Sequence, residues 1–387
     1  MKDFKTIVAN AHVNLRFGPE TAMRLPEFLK EFGYTKAGLI FDVNLAKSEF
    51  FSQVRTNLVA SGLVAHQLEN RVSSPTYPDL DDHTDEFRSK DIDCLLAIGG
   101  GSTLDLAKGI SVLLTNPGPG IIYRGVGKIK NPGVPLILIP TTAGTGSEVT
   151  PNASFIDPQE KKQLGINTEF YHPKLVILDP LLTISCPRSV TIGVAMDALV
   201  HHALDAFISG GWKNPLGSVF AKEAFRLIFN FLPKVLAEPE NLEARGNLQL
   251  GAMFAGLALA NHGGGSIAGA MSYPVGVHFH IHHGTAVAIF ALESIRFNIE
   301  RGFKGYADFA ELIDAEGKQV EFDKSAFFYE KFSQFYAELE IPLLSKFGIN
   351  EKDLSVLAEE ISAMPVFKLN PIPVFKEDAL KILKSRL

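Results

Sequence analysis

Cysteine is scarce in this sequence, and the two that it has, Cys94 and Cys186, lie far apart along the chain. Cys94 falls inside an apolar run that is typical of a buried strand. A disulfide framework is therefore not expected, and a reducing cytoplasm is the expected compartment.

Charged side chains are missing altogether between Gly246 and Leu292. Polar residues, the glycines at 263–265, Pro274 and several histidines interrupt this stretch too often for a membrane-spanning helix. The N-terminus also lacks the apolar core and small-residue cleavage site of a secretory signal. We expect no membrane partner and interpret the uncharged stretch as a buried pocket wall.

Long biased runs are lacking too, and a composition of 46% hydrophobic and 21% charged residues fits a globular protein rather than a disordered one. The net charge of -6 gives no general attraction for nucleic acid, so no nucleic-acid partner is expected. At 387 residues, the chain is long enough for two domains of roughly 150–200 residues each.

Apolar runs in the first half of the chain are nearly continuous, which is typical of strands covered on both faces of a parallel sheet. The helical pattern "EFFSQVRTNLVASG" lies between the first two runs. After Pro187, apolar residues recur at helical spacing instead. We predict a Rossmann-like α/β domain over 1–187 and an all-helical domain over 188–387. The four predicted strands are "AGLIFD" (37–42), "DCLLAIGGG" (93–101), "VPLILIPTT" (134–142) and "KLVILDP" (174–180).

Two glycine-rich loops follow neighbouring predicted strands and are candidates for binding a pyrophosphate. Glycine lets the backbone approach a ligand closely, and a helix N-terminus offers unpaired N–H groups to an anion. Neither loop has the G-x-G-x-x-G spacing, so an ordinary Gly-rich turn remains the alternative for each. The candidate cofactor-binding residues are Gly99, Gly100, Gly101, Ser102 and Asp105 in "AIGGGSTLDLAKGI", with Thr141, Thr142, Thr145 and Ser147 in "IPTTAGTGSEVT".

Asp42 ends the first predicted strand in "IFDVN". An acid at this position can accept hydrogen bonds from an adenosine ribose and repel a 2′-phosphate, which favours NAD over NADP. An aspartate that caps a turn is the equally good alternative.

Asp197 and His201, four residues apart in "AMDALVHHALDAF", would share one face of an α-helix and form half of a divalent-metal site. Asp205 continues that face, and His202 is expected to point elsewhere. Further imidazoles are available in "VHFHIHHG", where an extended chain would put His278, His280 and His282 on one side and His283 on the other. Spacing alone does not choose among them.

In their order along the chain, these segments resemble the iron-containing (group III) alcohol dehydrogenase family over nearly the whole sequence. The matching segments are "RFGPETAMRLPEFLKEFG", "IFDVN", "SSPT", "AIGGGSTLDLAK", "IPTTAGTGSEVT", "ILDPLLT", "AMDALVHHALDAF", "YPVG…HFHIHHGTAVAI" and "NPIP".

The resemblance implies a nucleotide-binding α/β domain, a helical domain, and a cleft between them that holds NAD(P) and a divalent ion, Fe or Zn. It implies that an alcohol and an aldehyde or ketone are interconverted by hydride transfer, the metal acting as a Lewis acid. Asp197, His201 and His283 match the family's metal ligands, and Lys162 matches a lysine near the cofactor. A homodimer or higher homo-oligomer is also implied.

The sequence departs from the family pattern at two positions. Gly269 stands where a further ligand histidine is usual, and Tyr273 stands where a catalytic histidine is common. We expect three protein ligands with His280 nearby, and we expect that Gly269 enlarges the pocket for a substrate bulkier than ethanol. Tyr273 either contacts the substrate or proton path through its hydroxyl or forms an aromatic wall.

Three functions are compatible with these residues. The first is an NAD-dependent, metal-assisted alcohol dehydrogenase, with a sugar acid as possible substrate in the manner of the 3-deoxy-manno-octulosonate (Kdo) 8-oxidase type, or with phosphonoacetaldehyde-like aldehydes. The second is a non-redox sugar-phosphate cyclase or a maleylacetate reductase of related architecture. The third is a sensory protein that binds nucleotide or metal without turnover.

Overall fold

The computed structural model describes residues 9, 11–209, 214–313 and 323–387. The chain forms two compact units, of which one contains Ala11–Pro187 and the other contains Arg188–Pro233 and Phe254–Leu387. One division between them falls at residue 187, where the sequence predicts a domain boundary. The segment Lys234–Met253, however, packs with the first unit although it lies well inside the second half of the sequence.

The first unit is built on a six-stranded sheet in which every pairing is parallel. The order across the sheet is β1-β9-β6-β4-β2-β3. The strands of this sheet are β1 (Leu15–Phe17), β2 (Ala37–Asp42), β3 (Val64–Asn70), β4 (Cys94–Gly99), β6 (Leu136–Pro140) and β9 (Leu175–Leu178). All four strands predicted from continuous apolar runs are confirmed.

The strands between the sheet edges are buried on both faces because helices cover both faces. Leu96 and Ile98 of β4 belong to one apolar cluster, while Leu95 and Ala97 belong to another on the opposite face. The covering helices of this unit are α1 (Leu25–Glu31), α2 (Glu49–Ala60), α3 (Tyr77–Arg88) and α4 (Gly101–Leu113). The helix predicted from "EFFSQVRTNLVASG" is α2.

A second, three-stranded sheet was not predicted. It consists of β5 (Gly125–Val126), β7 (Asn152–Asp157) and β8 (Lys162–Asn167), with β7 and β8 forming an antiparallel hairpin. β7 alternates buried and partly exposed positions, and most of β8 is partly exposed, so both lack the continuous apolar runs that identified the main sheet.

The second unit is helical throughout its described part, as predicted. A helix begins as α5 (Arg188–Met196), continues through a π-helical segment, Asp197–Asp205, and ends as α6 (Ala206–Ile208). The other helices after residue 187 are α7 (Pro215–Ala237), α8 (Leu242–His262), α9 (Ile267–Phe279), α10 (His283–Glu300), α11 (Ala307–Ile313), α12 (Lys324–Ala337), α13 (Glu351–Ala363) and α14 (Lys376–Ser385).

Aromatic side chains fill much of the core of the helical unit. Phe328 is fully buried, and its ring lies 5.2 Å from that of Tyr306 and 5.7 Å from that of Phe225. The stretch Arg188–Ile208 is long and apolar enough to cross a membrane by length and composition, but almost all of it is buried inside the protein. Burial of this kind is what a core helix shows.

Candidate active site

The two glycine-rich loops start side by side at one edge of the main sheet. β4 and β6 are adjacent and parallel, with Gly99 opposite Pro140. The backbone N–H of Thr141 donates to the carbonyl of Gly99 over 3.0 Å. The prediction that both loops leave the same carboxyl edge is therefore confirmed, and this edge is where open α/β sheets bind ligands.

Helix α4 begins directly after β4, with Gly100 as its N-cap. Glycine supplies no side chain to cap the first turn, so the first N–H groups of α4 can be satisfied by an anion. A Cβ on Gly101 would lie 2.6 Å from Cγ2 of Thr145, and one on Gly100 would lie 3.4 Å from Cγ2 of Thr142. The glycines thus also allow the two loops to pack against each other.

Lys108 is a buried residue of this region that the sequence reasoning did not assign. Its ammonium donates to the carbonyls of Ser147 (2.8 Å), Thr150 (3.1 Å) and Asn152 (2.5 Å). It lies 3.7 Å from Oδ1 of Asp105, three residues earlier on α4. Lys108 therefore fixes the second loop to the helix that follows the first. The spacing of Asp105 and Lys108 in "DLAK" was the available sequence clue.

Asp105 and Ser147, both predicted to contact the cofactor, are hydrogen-bonded to each other. Ser147 Oγ donates to Oδ1 of Asp105 over 2.5 Å, and the N–H of Ser154 donates to Oδ2 over 2.9 Å. Both carboxylate oxygens are engaged within the protein, because a partly buried carboxylate needs hydrogen-bond donors. These two residues hold the loops in shape.

Three other candidates lie outside this network. Ser102 donates to the carbonyl of Ser73. Asp42 accepts from the backbone N–H of Asn44 over 2.8 Å, the turn-capping arrangement, at the end of β2. Lys162 is exposed and pairs with Glu160 at 3.3 Å near the hairpin turn, so the structure does not bring it to the loops.

The predicted metal-binding residues come together in the helical unit, on a π-helical turn. In a π-helix hydrogen bonds run from residue i to i+5, and such turns are frequent at functional sites. Nε2 of His202 therefore lies 3.9 Å from Oδ1 of Asp197, and the expectation that His202 points elsewhere is wrong. Nδ1 of His201 lies 3.9 Å from Oδ2 of Asp205.

His283, the first residue of α10, joins this cluster from a neighbouring helix. Its Nε2 lies 3.6 Å from Oδ1 of Asp197, and its ring centre lies 5.7 Å from that of His201. The Tyr273 ring lies 5.0 Å from the His283 ring and 6.4 Å from the His201 ring. The predicted Asp197, His201 and His283 are thus neighbours, with Tyr273 beside them.

A close helix crossing holds His283 in this position. A Cβ on Gly284 would lie 2.4 Å from the carbonyl oxygen of Gly193, and one on Gly193 would lie 2.9 Å from Oγ1 of Thr285. The absence of both side chains lets α10 approach α5 one turn before Asp197. The crossing thereby sets the distance between His283 and Asp197.

The charges of the cluster suit a carboxylate surrounded by neutral imidazoles. Burial acts to raise the pKa of Asp197, but the imidazoles of His202 and His283 hold it below its usual value. Burial lowers the pKa of His202 and of His283 to about 4, so both rings are neutral at pH 7. Burial also acts to lower the pKa of His201, which Asp205 and Asp197 nevertheless raise.

The carboxylate oxygen and imidazole nitrogens of the cluster are the types of ligand that divalent iron and zinc accept. Oδ1 of Asp197 is buried and has no hydrogen-bond partner among the described residues, although it faces two imidazole nitrogens. Two donors about 2.1 Å from a tetrahedral ion are about 3.4 Å apart. The separations of 3.6 and 3.9 Å exceed this by a few tenths of an ångström. Because these separations are slightly too long, no three His, Cys, Asp or Glu side chains in the described ranges are close enough together to bind one metal ion as they stand.

Gly269 does not enlarge a pocket, contrary to the expectation from sequence. A Cβ at this position would lie 2.3 Å from Nδ1 and 2.5 Å from Cε1 of His201. The ring of His201 therefore occupies the space that a side chain at 269 would need. Gly269 therefore makes no extra room for a bulkier substrate.

The histidine-rich stretch is not extended, so its predicted alternation is wrong. α9 runs to Phe279 with Pro274 inside it, and His280 ends it with a left-handed backbone (φ 54°). His278 pairs with Glu360 at 2.7 Å. His280 is exposed, and the described contacts do not join it to the cluster around Asp197. Only His283 of the four reaches Asp197 at ion-pair distance.

Comparison with known proteins gives a family for each half of the chain. The profile of the family described as iron-containing alcohol dehydrogenase matches residues 13–180. The profile described as Fe-containing alcohol dehydrogenase family, C-terminal, matches residues 191–387.

Individual relatives match along most of their length. The NAD-dependent methanol dehydrogenase of Bacillus methanolicus is 30% identical over 93% of this chain and 94% of its own. The sulfoacetaldehyde reductase of Bilophila wadsworthia is 30% identical over 92% of this chain and 93% of its own. A crystal structure of 1,3-propanediol oxidoreductase superimposes with a TM-score of 0.89, at 28% identity and full coverage of both chains.

The glycine crossing generates a stability prediction. Gly284→Ala places a Cβ against the backbone of α5, where no side chain can move aside, so α10 must shift away. We expect a loss of about 1–3 kcal/mol in the free energy of unfolding, measured by urea denaturation. Glu300→Ala, at the exposed end of the same helix, is the control and should change it by less than about 0.5 kcal/mol. Equal stability of Gly284→Ala and the wild type would show that the crossing is not tight.

Glu148 generates a prediction on pH. It is 3% exposed in the second loop, and burial raises its pKa to about 7. Because the folded pKa exceeds the unfolded value, the folded state binds more protons, and stability falls as pH rises from about 4.5 to about 7. Glu148→Gln removes this loss, which is about 3 kcal/mol. Relative to the wild type, the variant should therefore gain stability between pH 5 and pH 8 in urea titrations. A constant difference between the two proteins across that range would refute the assignment.

Proposed function

The chain belongs to the iron-containing alcohol dehydrogenase family, and we propose that it is an NAD-dependent, metal-assisted oxidoreductase. It interconverts a small alcohol and the corresponding aldehyde or ketone. In the oxidative direction, bound NAD would accept a hydride from the carbinol carbon, and the hydroxyl proton would pass to solvent.

The main support for this proposal is the environment of the Asp197 carboxylate. Its carboxylate is buried, one oxygen has no hydrogen-bond partner, and imidazole nitrogens lie 3.6 and 3.9 Å away. A buried carboxylate without donors is costly unless a cation compensates it. A divalent ion held by Asp197, His201 and His283 supplies that cation, and iron and zinc both accept this donor set.

The nucleotide belongs to the edge of the parallel sheet. The N-terminus of α4 and the paired loops at Gly99–Gly101 and Thr141–Thr145 present backbone amides and hydroxyls for a pyrophosphate. Asp42 ends β2 at the same edge, where a carboxylate favours the ribose of NAD over the phosphorylated ribose of NADP. The similar methanol dehydrogenase of Bacillus methanolicus is named as NAD-dependent.

Asp197, His201 and His283 would hold the metal, which would supply Lewis acidity to lower the pKa of the substrate hydroxyl. The chain's own residues orient the substrate and limit its size. Burial raises the pKa of Tyr273 to about 12, so its hydroxyl is protonated at neutral pH and serves as a hydrogen-bond donor, not as a base. We propose that Tyr273 donates to the substrate oxygen beside His283.

The His201 ring over Gly269 favours a small substrate. Methanol and 1,3-propanediol, in the names of similar proteins, are small alcohols, and sulfoacetaldehyde is a small aldehyde with an anionic end. A sugar acid oxidised at a hydroxyl, such as C8 of Kdo, is the bulkier alternative substrate. The space beside Gly269 does not favour it, because the His201 ring fills that space. A panel of substrates from methanol to Kdo separates these choices.

The proposal predicts that the purified protein reduces NAD with short alcohols and needs the Asp197 carboxylate to do so. Asp197→Asn keeps the shape but removes the charge, and we expect kcat/KM to fall by about a hundredfold or more. Absorbance of NADH gives the rate, and NADH fluorescence checks that the nucleotide still binds.

Asp308→Asn, an exposed change on α11, is the matched control and should leave the rate unchanged. A wild-type protein that binds no NADH, or turns over no member of the panel, would refute the proposal. Turnover that survives Asp197→Asn would refute the role of the metal.

A further inference from the structure

The position of Gly269 leaves the metal cluster without a donor that the family resemblance calls for. A side chain there would collide with His201, because the Cβ alone would lie 2.3 Å from Nδ1 of that ring. Any fourth protein ligand therefore comes from another element of the helical unit. We propose that His202 is this ligand, so that the metal is held by Asp197, His201, His202 and His283. This inference rests on the proposed metal-assisted function.

The π-helical turn makes this possible. In an α-helix, residues i and i+4 share a face and residue i+5 is turned well away. In the segment Asp197–Asp205, hydrogen bonds join residues i and i+5, and a turn holds more residues than in an α-helix, so residues i+4 and i+5 both lie near residue i. Asp197 consequently has two consecutive histidines beside it, and a single α-helical turn would give it only one.

The distances place His202 among the donors. Its Nε2 lies 3.9 Å from Oδ1 of Asp197, close to the 3.6 Å between that oxygen and Nε2 of His283. The ring centres of His201 and His202 are 5.2 Å apart. Two imidazoles on one tetrahedral ion have ring centres about 5 Å apart, given metal–nitrogen bonds of about 2.1 Å. A small closure around Asp197 brings both rings to ligand distance.

The His201 and His202 rings are both buried, and among the described residues Nδ1 of neither ring has a hydrogen-bond partner. Nδ1 of His201 faces Asp205 at 3.9 Å. Metal-bound imidazoles commonly turn their second nitrogen toward a carboxylate, which fixes the ring. We expect Asp205 to take this positioning role for His201 when the metal is bound.

Cobalt binding to the full-length protein tests the proposal without depending on turnover. The wild type should take up one Co²⁺ per chain and show the visible absorption of protein-bound cobalt. We expect His202→Ala to weaken Co²⁺ binding roughly a hundredfold in a chelator competition while NADH still binds. His278→Ala removes an exposed histidine paired with Glu360 and should leave the Co²⁺ affinity unchanged.

His202→Cys supplies a positive readout that loss of folding cannot mimic. A thiolate that binds Co²⁺ adds a near-ultraviolet charge-transfer band, which we expect for His202→Cys and not for the wild type or for His278→Cys. Unchanged Co²⁺ affinity in His202→Ala, together with no new band in His202→Cys, would overturn the role of His202. If Asp197→Ala loses the metal in that case, the proposed function stands. A wild type that binds neither Co²⁺ nor Zn²⁺ would instead overturn the metal-assisted function itself.

Discussion

The buried carboxylate of Asp197 is the constraint around which the helical unit is arranged. A charge removed from water must be compensated by donors or by a cation, and one oxygen of Asp197 has no hydrogen-bond partner. Two features bring neutral imidazoles to it instead. The π-helical turn places His202 next to it, and the contact between Gly193 and Gly284 allows His283 to approach from α10. Both features make structural sense if a metal ion completes the site.

In the α/β unit, the charge of an aspartate is compensated by a lysine of the protein itself. Lys108 is fully buried and Asp105 is partly buried, and here the charges compensate each other, while each makes further hydrogen bonds to the second loop. This internal pair fixes the shape of the loops without needing a ligand. In our proposal the backbone amides at the start of α4 bind the pyrophosphate, Asp105 serves structure and Asp197 serves chemistry.

Four strands of the main sheet and the helical segment around Asp197 were predictable because burial on both faces, or on one helical face, leaves a direct periodic pattern in the sequence. These are β2, β4, β6 and β9 and the helix expected from "AMDALVHHALDAF", whereas β1 and β3 were not predicted. The hairpin of β7 and β8 was missed because its strands are half exposed. The cluster around Asp197 was identified, but the role of His202 was not, since i,i+4 reasoning assumes α-helical geometry and the π-helical turn has no periodic pattern of its own. The position of the His201 ring over Gly269 depends on tertiary packing, which no local spacing reveals.

The central claim is that a metal ion bound by imidazoles compensates the Asp197 carboxylate. X-ray absorption at the metal edge of the iron- or zinc-loaded protein tests it most directly. We predict one ion per chain with only nitrogen and oxygen neighbours at about 2.0–2.2 Å, and with the outer-shell scattering that imidazole rings produce. An ion without imidazole scattering, or metal bound in no fixed stoichiometry, would contradict the claim.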